Sequence, residues 1–107
     1  MKSLPVVALA AASEDVQLAY DYFESQLPDA GERFVRNFFE VMERIASNAW
    51  LYPLKFDDYH LALISKSNYA AYYFILDDRA GIGAGMDARR DPRLTRDLIR
   101  SRKDDLA

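Results

Sequence analysis

The two longest patterned blocks of this chain differ in hydrophobic period. As far as about residue 47, apolar side chains recur three and four residues apart, as on one face of a helix; from Tyr59 they alternate, as on a strand. A chain whose main helical and strand-like blocks follow one another rather than interleave is committed to largely segregated helices and strands. The spacing predicts a helix from about Ser13 to Gln26, with Val16, Ala19, Tyr20 and Phe23 inward. Pro28 to Gly31 breaks it, with Asp29 and Glu32 placed as a capping box for the next helix. That helix, about Ala30 to Ser47, carries two adjacent apolar rows, Phe34/Phe38/Val41/Ile45 and Val35/Phe39/Met42/Ala46. So wide a stripe expects a sheet or another helix beneath it.

Leu4 to Leu9 reads as a short first strand. Tyr59–Ser65, Tyr69–Leu76 and Ala80–Met86 read as a three-stranded antiparallel meander, with Asn68 free to take a left-handed turn conformation. Asp91-Pro92 opens a final basic helix over about 92–103, with Leu94, Leu98 and Ile99 as its apolar stripe. The expectation is a single α+β domain over 1–107: strand, helix, helix, three-stranded antiparallel meander, C-terminal helix, with the helical hairpin on one face of the sheet.

Composition narrows the chemistry. There is no cysteine and one histidine, His60, so no metal site and no cofactor is expected. The longest apolar run is nine residues, Leu4 to Ala12, against about 20 for a membrane span, and no membrane role is expected. Lys2 and Ala10-Ala11-Ala12-Ser13 imitate a secretory signal, but a buried strand explains the run better. Net charge is −3, which predicts no direct nucleic-acid binding. The charge is unevenly placed: residues 1–78 hold six basic and twelve acidic side chains, residues 79–107 eight and five. Such polarity points to a charged partner.

Two features stand out as sites. Gly81, Gly83 and Gly85 alternate along the last strand, so a period of two puts them on one face as bare backbone open to another chain. Beside them Arg89, Arg90, Arg93, Arg96 and Arg100 form a cationic track. A nucleotide-binding reading of the glycines lacks the required spacing and the strand–loop–helix context. For catalysis the residues offer only His60, Arg89 and Arg90 as candidates, with nothing that locates a substrate between them.

The ordered elements and particular residues resemble the ParE/RelE toxin superfamily, more closely its ParE branch. The matching features are Asp15, Ala19-Tyr20, Tyr22, Gly31, Arg33-Phe34, Ile45 and Tyr52-Pro53 in the helical part. "NYAAYYFILDD" is similar to the family's Pro-Tyr-x-x-x-Tyr strand with Asn68 for the proline; "MDARRDPR" is similar to its His-x-x-Arg-Asp-Pro ending with Asp87 for the histidine. The resemblance implies a bacterial, cytoplasmic toxin of a toxin–antitoxin pair, neutralised by an acidic antitoxin that wraps it. It implies DNA gyrase as target through protein binding. The alternatives are a RelE-like ribosome-dependent mRNA endonuclease and a non-toxic antitoxin-binding relative.

Overall fold

The computed structural model describes residues 3–104, the side chains of 103 and 104 excepted. The chain runs β1 (Val6–Ala8), α1 (Ala10–Gln26), α2 (Ala30–Ser47), β2 (Leu54–Phe56), β3 (Tyr59–Leu63), β4 (Tyr69–Ile75), β5 (Ala80–Asp87) and α3 (Pro92–Asp104). The α+β expectation holds, and the meander is β3-β4-β5. Two pairings extend it into five strands in the order β1-β5-β4-β3-β2. β1 lies parallel to β5, and β2 pairs antiparallel with β3. No helix among the described residues is long and apolar enough to cross a membrane.

α2 forms as its periodicity dictates. Phe34, Phe38, Val41 and Ile45 are buried; the second row is only partly covered, and Phe39 stands 55% exposed. The α1–α2 turn is closed differently from the expected capping box. Asp29 adopts a left-handed φ of 70° and caps nothing with its side chain. Glu24, from the last turn of α1, accepts instead from the backbone N–H groups of Asp29 (3.1 Å) and Gly31 (3.0 Å). A Cβ on Gly31 would stand 2.7 Å from the Tyr20 carbonyl oxygen, so glycine permits the close helix approach. At the β3–β4 turn, Lys66 rather than Asn68 takes the left-handed conformation, with φ 60°.

Both faces of the sheet are covered. On one, α1 and α2 pack over Ala62, Ile64, Ala71, Tyr73 and Ile82. On the other, α3 brings Ile99 against Tyr59, Ala70, Tyr72, Phe74, Ala84 and Met86. A strand buried on both faces shows no clean alternation, which explains the run of apolar residues in β4. α3 starts as expected: Asp91 accepts from the Arg93 N–H at 2.9 Å, with Pro92 at the first helical position. Its inward face is Thr95 and Ile99, and Leu94 is 60% exposed.

Tyr59 and Tyr73 sit fully buried in these two cores, and burial pushes both phenols up to about 12. An unfolded tyrosine ionises near about 10. Below that pH both states hold the proton; between about 10 and about 12 only the unfolded chain releases it, so stability falls as pH rises through this window. An alkaline titration followed by tyrosinate absorbance and circular dichroism should show a late class of tyrosines ionising together with loss of structure. Ionisation of all seven tyrosines near pH 10 with the ellipticity intact would contradict the assignment.

Candidate functional site

A regular period of two would set Gly81, Gly83 and Gly85 on one open face. The structure corrects this. β4 and β5 pair Tyr72 with Ala84 but Tyr73 with Ile82, so Gly83 is an extra residue, a β-bulge. The bulge resets the alternation. A Cβ on Gly81 would strike the Phe74 ring at 2.5 Å, and one on Gly83 would meet the Tyr59 ring at 3.1 Å, both on the α3 side. A Cβ on Gly85 would instead contact Val16 of α1, at 3.6 Å. All three glycines are buried. Their missing side chains make room for the protein's own aromatic rings, so no backbone track is open there.

The bulge also turns the Gly83 carbonyl and the Gly85 N–H toward the edge where β1 has already ended. Two side chains serve as the missing strand. Asp15 of α1 accepts from the Gly85 N–H at 3.0 Å. Arg102 of α3 donates to the Gly83 carbonyl at 3.1 Å and makes a two-pronged pair with Asp15 at 2.6 and 2.8 Å. Both side chains are largely covered, 16% and 11% exposed for Arg102 and Asp15, and the Asp15 hydrogen bonds hold the guanidinium pKa above its usual value. The sequence does not single out Arg102, and it marks Asp15 only as one of the residues that carry the family resemblance. Eighty-seven positions separate them, and no local pattern signals the pairing.

Three of the arginines expected to meet a partner pair with carboxylates within the chain, Arg89 among them. Arg100 forks onto Asp57 at 2.8 Å through both nitrogens, and Arg93 pairs with its neighbour Asp91 at 3.3 Å. Arg96 makes a long contact with Asp97, at 4.0 Å. α3 is therefore first a strap across the sheet. The cationic surface is confined to the β5–α3 loop.

There, Tyr69 opens β4 opposite Asp87 at the end of β5. Arg89 is held by Asp87 through its backbone N–H (2.8 Å), Nε (3.1 Å) and Nη2 (2.8 Å). These bonds to Arg89 draw the Asp87 carboxyl below the usual carboxylate range. Burial, then the Asp87 charge, raises the Tyr69 phenol. Arg90 leans on the Met86 sulfur at 3.6 Å, with no carboxylate within 4 Å among the described residues. With Leu18 of α1 and Leu98 of α3, Tyr69, Asp87 and Arg90 line a cleft of about 200 Å³. Its rim is apolar: Leu18 is 68% exposed and Tyr22 54%.

His60 lies elsewhere. Its Nδ1 donates to the Tyr52 carbonyl at 2.7 Å, and its ring stacks on Tyr73 at 5.1 Å. Its β4 partner is Tyr73, four residues or about 13 Å along the strand from Tyr69. The three catalytic candidates are thus split between opposite ends of the sheet. The cleft offers one uncompensated guanidinium, a carboxylate already chelated, a phenol kept protonated and an apolar rim. That set can grip an anionic, apolar-anchored polypeptide.

Comparison with solved structures gives the architecture its place. The chain superposes on the chromosomal ParDE TA system from P. aeruginosa with a TM-score of 0.71, at 12% identity, covering 79% of this chain and 96% of that one. The fold is that of the ParE/RelE toxins. The YoeB dimer from Staphylococcus aureus is also similar, with a TM-score of 0.53 at 20% identity over 77% of this chain and 93% of that one. No family model and no curated protein matches the sequence.

The Asp15–Arg102 strap makes a direct prediction. Asp15→Asn or Arg102→Met alone strands a largely buried charge and should cost about 3 kcal/mol in denaturant unfolding. The double variant should recover much of that loss, since neither charge then lacks its partner. Additive single costs would show that the pair does not couple α1 to α3.

Proposed function

We propose that the chain is the toxin of a toxin–antitoxin pair, that it acts as a ParE-like poison of DNA gyrase through protein binding, and that an acidic antitoxin neutralises it. The fold supports the toxin reading, with the greater structural similarity on the ParE side. One observation carries the choice of mechanism. RNA cleavage needs a base, an acid and cations converging on one phosphate. Here His60 and Arg90 are at opposite ends of the sheet, and Asp87, held ionised by Arg89, puts a negative charge beside Arg90 in the cleft.

The antitoxin-binding surface moves from the glycine track to the cleft between α1 and α3. Arg90 lines it together with exposed Leu18, and Arg89 stands near exposed Tyr22, so cations and an apolar rim lie side by side. An acidic segment folding onto it would gain affinity from apolar anchors and orientation from the arginines.

Purified protein mixed with gyrase and supercoiled plasmid should stall supercoiling and leave linear DNA, while translating ribosomes show no mRNA cuts. Ribosome-dependent cuts that disappear in an Arg89→Ala/Arg90→Ala variant would replace this reading with the endonuclease one. Neither activity, with tight antitoxin binding, would make the chain a non-toxic relative.

A further inference from the structure

The end of the sheet opposite Arg89 and Arg90 has the reverse character. Trp50, in the turn after α2, is 60% exposed; Leu54 of the outer strand β2 is 62% exposed, and Leu76, after β4, 41%. These three line one open groove of about 490 Å³, floored by His60 and Ile75 and rimmed by Asp57, Asp58 and Asp77. Scattered exposed leucines are ordinary, but three large apolar side chains facing a common groove are not. A tryptophan at the centre of such a patch is the side chain that most often anchors a protein interface.

The groove is preformed. The Tyr52 carbonyl and the Tyr73 ring hold His60, and Arg100 clamps Asp57 in the β2–β3 turn. The rim is acidic, and Asp77 has no cationic side chain within 4 Å among the described residues. That sign selects the occupant. An acidic antitoxin would be repelled. Two copies meeting face to face would oppose acidic rim to acidic rim, as a two-fold interface requires. A segment with apolar residues for the floor and lysines or arginines for the rim suits the surface.

We propose that the Trp50–Leu54–Leu76 groove docks a basic, apolar-anchored segment of a protein other than the antitoxin, which, on the functional reading above, is the target protein. The chain is then two-ended: the cationic cleft takes the acidic antitoxin, and the acidic groove takes the target.

Trp50 is the chain's one tryptophan, so its emission reports directly on this groove. Titration of the whole protein with a synthetic amphipathic leucine/lysine peptide should shift that emission to the blue and saturate, and a leucine/glutamate peptide should not. Leu76→Ser with Asp77→Lys should weaken binding about tenfold or more. Leu63→Ser, the same kind of change at an exposed β3 position, should leave it unchanged. The Leu76/Asp77 variant should also lose gyrase poisoning while keeping antitoxin affinity. A flat emission, a shift indifferent to the Leu76/Asp77 change, undiminished poisoning by that variant, or a peptide-free blue shift that grows with protein concentration would each overturn the proposal, the last in favour of self-association. Wild-type protein that takes up the lysine peptide at Trp50 yet leaves gyrase untouched would sink the gyrase reading and not the docking surface.

Discussion

The architecture depends on how the exposed edge of β5 is satisfied. β1 runs beside β5 only from Val6 to Ala8, after which the chain turns away into α1. Beyond Ile82 the edge would leave polar backbone groups without partners in a largely covered site, at a cost comparable to a lost hydrogen bond for each. Asp15 and Arg102 supply those bonds and neutralise each other. This one cluster ties three elements distant in sequence. It fixes where α3 lies, and so which arginines remain available to a partner.

The bulge at Gly83 belongs to the same solution. A regular β5 would point Gly83 and Gly85 to one side of the sheet and turn alternate backbone groups to the β1 edge. The extra residue presents the Gly83 carbonyl and the Gly85 N–H together at that edge. Glycine at 81 and 83 then leaves space for Phe74 and Tyr59, whose rings meet edge to face at 5.6 Å. Aromatic cover over glycine restores the packing that the missing side chains would forfeit.

What could be read in advance follows from the range of each interaction. α2 was legible almost to the residue because its stripe is local, and so was the Asp91-Pro92 start of α3. The meander was legible because tight turns follow strand periods. β2 was missed: three residues, two of them exposed, carry no usable period. The parallel β1–β5 pairing joins residues more than 70 apart and leaves no local trace. The glycine face was misread because a single bulge inverts a period-two argument downstream of it. The roles of the arginines were illegible for a related reason. Whether Arg100 faces a partner or Asp57 depends on a turn 43 positions away.

Charge segregation links fold to function. By strapping α3 across one face, the chain spends Arg100 and Arg102 internally and leaves cations clustered at the β5–α3 loop. The acidic residues of the β2–β3 and β4–β5 turns gather at the other end, along with exposed Trp50. A net charge of −3 conceals this dipolar arrangement. An overall charge predicts weak attraction to polyanions; the local fields predict two partners of opposite sign approaching from opposite ends. On the proposed reading, such a chain needs no surface shared by target and antitoxin, and restraint would act through bulk, or through the α3 strap that both ends touch: Asp57 at one and Asp15 beside the cleft at the other.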